Sequence, residues 1–498
     1  MKTGRHHIVS TLAFVAFALT VGISACSSNS SRGSAGNGGN GLDSGDDSPG
    51  CGYGTCQTSS GGPSDAAVII GASGGTGIGA SSVNDCPGVM DGTVITGRIM
   101  DPAGKNPLYN IVVENPASDP LDLTMVHQGA SCSACSSLYT KALAYTYTDE
   151  TGHFTLKHAA SDTNGMPTAI IAQIGKWRTV IQTHIQSCKP NNIGDIKLPS
   201  KVTAGDYSSI PQIAVSTGSA DSLECLFHRM GIADSEYIGG AGTSGHIHIY
   251  TATNSGGPGA SYTGGSPSPE TQLWDTQAHL AQYDVVLFSC EGAETNQLTD
   301  AGRTNLYNYA NNGGRAFMSH YHYSWFTPTG PFSTLSPPMA SWQTGFIQDN
   351  DPIGGIINQK TPTGAAFPEG TSMQKWLTNV GATQNGELSP IHYSRDNATL
   401  GSANTHTQLW ISGDNSSANP GTAMYLSIDT PFSGGDTKCG RVVYSDLHVS
   451  GGPNNSADPS TDYPGFSSGI VPSGCSTHDL TAQEKALEFM IFDLSSCL

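Results

Sequence analysis

The residues with the most chemistry to offer cluster late in the chain, in His320-Tyr321-His322-Tyr323-Ser324-Trp325. Histidines two apart share one face if their strand continues, and sit on a loop if it ends at Ser319. An apolar run from Tyr283 to Phe288 leads into Cys290, Glu291 and Glu294, and a later one from Gly440 leads into Asp446 and His448. Imidazoles beside carboxylates at strand ends offer acid–base chemistry, contact with a polar ligand, or a divalent-metal set. Trp325 and Phe326 offer rings on which a sugar can stack. The expected ligand-binding set is therefore Glu291, His320, His322, Trp325, Asp446 and His448. No catalytic residue, metal or cofactor is assigned. The plainer alternative is that the histidines bond local backbone and that the aromatics are buried.

Other candidates are weaker. His246-Ile247-His248 alternates in a strand and could chelate, but H-x-H alone carries little. Cys132-Ser133-Ala134-Cys135 has zinc-ligand or redox spacing, yet neither two further ligands nor a helix start is visible beside it. Ser219 and Ser289 have no G-x-S-x-G around them. Asp43, Asp46 and Asp47 fit no EF-hand.

These side chains need elements to hold them. Residues 93–99, 109–114, 142–148, 153–156, 169–174 and 178–183 read as short strands, with Asp101-Pro102-Ala103-Gly104 and Asp149-Glu150-Thr151-Gly152 as turns. That spacing predicts a small antiparallel β-sandwich over 83–205. From about 206 the texture changes. Ile213-Ala214-Val215-Ser216 is a buried strand, and Leu223, Leu226, Phe227 and Met230 recur at helical spacing. Strand 283–288, a helix from Thr299 to Gly313, strand 315–319, strand 440–446 and a terminal helix capped by Thr481 and Glu484 follow. Strands alternating with helices predict a parallel sheet in an α/β, flavodoxin-like three-layer domain over 206–498. Residues 327–440 read as long loops or a β-rich insertion, with a short helix at 372–379 and strands near 408–411 and 423–428.

The 498 residues suffice for two or three domains, and only 12% are charged, about half the usual share. With 21 basic against 40 acidic residues the net charge is −19. No basic stripe for nucleic acid and no charged heptads are present. The one long apolar run lies at residues 8–23, behind Lys2 and Arg5. It reads as a signal peptide covering 1–25. Residues 26–82 are Gly/Ser-rich without apolar periodicity, the composition of a flexible tether. Of twelve cysteines, eleven remain if Cys26 is consumed by lipid. In an oxidising compartment disulfides are expected, with at least one cysteine left over. Cys132 and Cys135, with Cys86 and Cys188 as partners, belong to the sandwich; Cys225 is expected to bridge to Cys290, and Cys439 to Cys475. Cys51 and Cys56 can close a small loop in the tether.

Three resemblances follow from these motifs. Ile23-Ser24-Ala25-Cys26 resembles the lipobox of bacterial lipoproteins. That resemblance implies a lipidated Cys26 and membrane attachment, with Ser27 implying the outer membrane, at its surface or periplasmic face. Thr96-Gly97-Arg98, Asp101-Pro102-Ala103-Gly104 and Thr148-Asp149-Glu150-Thr151-Gly152-His153-Phe154 resemble the carboxypeptidase regulatory-like (transthyretin-like) domain, which implies no catalytic set. Residues 283–288, Gly313-Gly314-Arg315-Ala316-Phe317-Met318-Ser319-His320 and Gly440-Arg441-Val442-Val443-Tyr444-Ser445-Asp446-Leu447-His448 look like the class I glutamine amidotransferase-like fold, in its trehalose-utilisation branch. A glutaminase places cysteine on the strand-to-helix elbow; here His320 stands there, and Cys290 lies one strand earlier. The resemblance thus implies a fold and a carbohydrate association without glutaminase chemistry. The expected function is non-catalytic binding of glycan or another envelope component by a surface lipoprotein. A metal- or His/carboxylate-dependent enzyme acting on carbohydrate is the alternative, and a structural envelope protein a further one.

Overall fold

A computed structural model describes residues 77–78 as backbone and, in full, residues 86–116, 126–132, 142–253, 261–295, 297–344, 347–432, 438–449 and 470–496. The signal peptide, Cys26, most of the tether with Cys51 and Cys56, and Cys135 lie outside these residues. Among the described residues no helix is long and apolar enough to cross a membrane.

The first region is built from β1 (Val94–Met100), β2 (Val112–Pro116), β3 (Ala142–Tyr147), β4 (His153–Leu156), β5 (Thr168–Ile174), β6 (Trp177–Thr183) and β7 (Pro190–Lys197). Period-two burial drives it: Ile95 and Ile99 of β1 and Phe154 and Leu156 of β4 point into one core. The expected turn before β4 forms because the Asp149 carboxylate accepts from the Thr151 and His153 amides at 2.8 and 3.0 Å. β3, β2, β5 and β6 form one antiparallel sheet, and β4, β1 and β7 another. One pairing departs from the antiparallel expectation, since β1 runs parallel to β7. The tether expectation also changes at one point. Gly77–Ile78 pairs with β3, giving its open backbone groups a partner.

The second region is one mixed sheet. Its parallel half runs β9 (Tyr237–Gly239), β10 (Ile247–Thr251), β8 (Ile213–Ser216), β11 (Val285–Phe288), β12 (Arg315–Ser319) and β17 (Gly440–Ser445). Residues 327–440 do not form a separate lobe. β16 (Ala423–Thr430), β15 (Thr407–Gly413), β13 (Ile353–Ile357) and β14 (Glu387–Ile391) continue the same sheet with antiparallel pairing. Alternation along the strands feeds two cores. Val285, Leu287, Phe317 and Val443 face one side, Val286, Phe288, Met318 and Tyr444 the other. α1 (Leu223–Arg229), α3 (Pro368–Asn379) and α4 (Ala482–Ser495) cover the first side, and α2 (Asp300–Asn311) the second.

α4 starts on its expected capping box: Thr481 Oγ1 accepts from the Glu484 amide and Glu484 Oε2 from the Thr481 amide. Its Phe489 and Phe492 pack on Tyr109 and Trp177 of the first region, so one apolar cluster runs through both. α4 lies antiparallel to the parallel strands: at its far end the Leu494 and Ser496 carbonyls accept from Arg315, the first residue of β12.

Among the described residues the disulfides are Cys86–Cys188, Cys132–Cys439 and Cys225–Cys475. Three expectations are therefore corrected: Cys86 and Cys188 pair with each other and Cys132 leaves the sandwich for Cys439, while neither Cys225–Cys290 nor Cys439–Cys475 forms. Cys475 precedes α4, at the carboxyl edge of the parallel strands, whereas Cys439 precedes β17 at the opposite edge; the length of the sheet separates them. Cys225 sits on the face of α1 turned toward the segment before α4, so it reaches Cys475. Cys290 instead follows β11 and is left as a free, buried thiol.

Candidate functional site

The site is assembled by strand ends. β8, β11, β12 and β17 lie side by side and parallel, so the residues leaving them emerge at one edge. Ligands of open α/β sheets bind at that edge. β12 ends at Ser319, and residues 320–325 turn into a short 3₁₀ helix, so the histidines occupy a turn and not a continued strand. His320 takes φ +52°, a backbone conformation that costs a non-glycine residue about 1–3 kcal/mol. The strand end is thus a strained elbow with an imidazole on it. Gly218, in the loop after β8, packs directly on the Cys290 carbonyl, where a side chain has no room.

Three groups converge here. Cys290 Sγ lies 3.2 Å from His320 Nδ1, and the His320 and His448 rings are 4.7 Å apart between centroids. Donor atoms of all three lie within 4.8 Å of one another. His448 Nδ1 faces the Ala220 carbonyl at 3.2 Å and Asp221 Oδ1 at 3.7 Å. Asp221 also accepts from the Val449 amide and the Ser319 hydroxyl. Burial pushes the Cys290 thiol far up and pulls the His320 and His448 imidazoles down, so the thiol is protonated and the rings neutral.

A second group adjoins it. His322 Nδ1 lies 2.8 Å from the Ser319 carbonyl, the local backbone bond of the plainer alternative, yet its Nε2 is 3.5 Å from Glu291 Oε1. Burial pulls His322 down, but the Glu291 hydrogen bond and charge outweigh it and raise the ring's pKa. Glu270, bonded by the Ser216 hydroxyl at 2.6 Å, is pushed to about 7 by burial and then by the charge of Glu291. Glu291 Oε2 has no hydrogen-bond partner among the described residues.

The other expected residues divide. Asp446 supports the elbow from beneath: the Tyr444 hydroxyl lies 2.8 Å from Asp446 Oδ1 and 2.9 Å from the His320 carbonyl. Burial raises Asp446 to about 7. Trp325 is 1% exposed, wedged between Phe288 and Trp274, and presents no face to a sugar ring. His246 and His248 are committed elsewhere, to Glu236 Oε2 at 2.5 Å and the Tyr283 hydroxyl at 2.9 Å. Sequence reasoning missed Glu270, Asp221 and Arg395. Asp221 lies just before α1, and its carboxylate turns to His448 and the Val449 amide. Arg395, whose amide bonds the Asp446 carbonyl, lies in the stretch with no legible periodicity.

No family model and no curated protein matches the chain. Among solved structures, a protein described as ThuA-like from Bacteroides uniformis aligns over 52% of this chain and 90% of its own, at 11% identity and TM-score 0.28. A 9R-lipoxygenase from Cyanothece PCC8801 aligns over 31% of this chain and 24% of its own, at 12% identity and TM-score 0.15. At these scores neither likeness fixes a fold or an activity. The first is a distant neighbour that loosely fits the trehalose-utilisation-like pattern.

Proposed function

We propose that this is a lipid-anchored envelope protein whose second region carries a His/carboxylate site for a small polar ligand of the carbohydrate class, with acid–base capacity. One observation carries the reading. Glu270, His322 and Glu291, brought from three separate stretches of chain, form a buried group in which a carboxyl titrates at about 7 beside an imidazole raised by its carboxylate partner. A group that exchanges a proton near neutrality is what general acid–base catalysis needs, and burying it without use is costly. Inert glycan binding draws less support, because the expected stacking residue Trp325 is enclosed.

In this reading Glu270 and His322 handle the proton, Glu291 tunes both through its charge, and Cys26 holds the protein at the outer membrane. The test presents detergent-purified full-length protein with a panel of oligosaccharides and envelope glycans, with binding and products measured. Turnover lost in Glu291→Gln and His322→Gln, at unchanged fold, is expected. Binding without turnover returns the site to inert recognition. Neither binding nor turnover leaves a structural envelope protein.

A further inference from the structure

We infer that Cys290, His320 and His448 form the binding site of a thiophilic transition-metal ion of the zinc type. The inference deepens the function proposed above, and rests on that edge of the sheet being a working site. The donor set comes first. One thiol and two imidazoles select zinc, copper or cobalt over magnesium and calcium, which prefer oxygen. The spacing agrees. With bonds of about 2.3 Å to sulfur and 2.05 Å to nitrogen, a tetrahedral ion holds its donors roughly 3.3–3.6 Å apart. Here Cys290 Sγ and His320 Nδ1 are already 3.2 Å apart, and the whole set lies within 4.8 Å.

The surroundings are those of a metal ligand. His448 presents Nδ1 to the Ala220 carbonyl and Asp221, which places the proton on Nδ1 and the lone pair on Nε2. A carboxylate behind a histidine fixes the tautomer and strengthens the donor in this way at many metal sites. Asp221 is itself held by the Val449 amide and Ser319 hydroxyl, so it orients His448 rigidly. His320 is 1% exposed, so its ring is held away from solvent. Its positive φ is strain that the fold maintains at this one elbow.

Charge is the opposing consideration. Arg395 acts electrostatically on Cys290, His320 and His448 and disfavours a cation. Asp221 and the thiolate formed on binding set two negative charges against it. The balance of the binding step is simple: the Cys290 S–H bond breaks, sulfur keeps the electron pair and bonds the metal, and one proton leaves to solvent. Three protein ligands leave the fourth position open, the pattern of zinc sites that bind substrate or water.

Metal analysis of the full-length protein, with zinc titration after chelator treatment, tests this. One zinc per chain with release of one proton is expected. Cys290→Ser and His448→Gln should weaken binding at least about 100-fold, and Asp221→Asn about 10- to 100-fold. A cobalt adduct should show a thiolate charge-transfer band that Cys290→Ser abolishes. Should the variants fold poorly, the wild type decides alone: without the cobalt–thiolate band and the released proton, the inference fails. Equal zinc affinity in wild type and Cys290→Ser also overturns it. Glu291→Gln separates the two proposals, because it should keep the metal and lose turnover. Metal bound without any turnover leaves the metal site standing and removes the enzymatic reading.

Discussion

The same motif, His-x-His, occurs twice in the second region and meets two fates. His248 lies inside β10, and His246 immediately precedes its first residue, Ile247. His246 bonds Glu236 and His248 bonds the Tyr283 hydroxyl, both local neighbours in or beside the sheet. His320 and His322 stand one residue and three residues past the end of β12, on a strained turn. They meet Cys290, His448 and Glu291, groups delivered by other strand ends. The difference teaches that spacing does not make a site. Within a strand, neighbours are fixed by pairing and the ring fills a slot. Beyond a strand's end the backbone is free to turn, and several parallel strands deliver their following residues to one place.

The largest test of this comparison is loss of function. On whichever glycan is turned over, His322→Gln should lower the rate by about 10²- to 10⁴-fold, the usual worth of a positioned acid–base group. His246→Gln and His248→Gln should leave the rate within about three-fold, since they touch neither group at the edge. Comparable losses at both motifs would break the comparison, and would make the β10 histidines part of the same machinery.

The sequence made the strand ends legible and hid their partners. Val285-Val286-Leu287-Phe288 and Arg315-Ala316-Phe317-Met318-Ser319 announce buried parallel strands by composition. His320, His322, Asp446 and His448 could therefore be placed at one edge. Cys290 was visible too, but pairing it with Cys225 removed it from the chemistry. Only the fold turns Cys225 toward Cys475 and leaves Cys290 facing His320. Glu270 and Arg395 lie where Gly, Pro and Asn erase periodicity, and no local pattern marks a residue that matters through its distant neighbours. The strands near 408–411 and 423–428 were legible, but the antiparallel half of the sheet that they build was not, for a related reason. Its strands are separated by long connections, and its pairing is a property of the whole sheet.

A smaller test uses pH, where the strand-end group and the β10 histidine should act with opposite sign. Glu270 rises from an ordinary 4.5 to about 7, so the folded protein holds a proton that the unfolded chain gives up. Its stabilisation is full below pH 4.5 and is lost as pH rises to 7. His248 falls from 6.5 to about 4 through burial, so the unfolded chain binds the proton first. Its contribution is full above pH 6.5 and is lost as pH falls to 4. Each amounts to at most about 3 kcal/mol. In urea melts from pH 4 to 7.5, Glu270→Gln should remove stability that declines toward neutrality, and His248→Gln should remove stability that declines toward acid. Shifts of the same sign in both variants would contradict the assignment, with Glu291 and His322 as the charges beside Glu270 and His246 as the one beside His248.

The smallest effect isolates the backbone. Alanine and glycine at one position differ by a methyl group and by conformational freedom. In β10 glycine should be the worse of the two at His248, by roughly 0.5–1 kcal/mol, because an extended residue gains nothing from that freedom. At His320 the order should reverse. The φ of +52° disfavours alanine by about 1–2 kcal/mol and leaves glycine unstrained. Both His320 variants lose the imidazole, so the alanine-to-glycine difference in melting temperature reads the strain alone. If alanine is the more stable at both positions, His320 does not sit on an elbow, and the strand end has lost the feature that separates it from the strand interior.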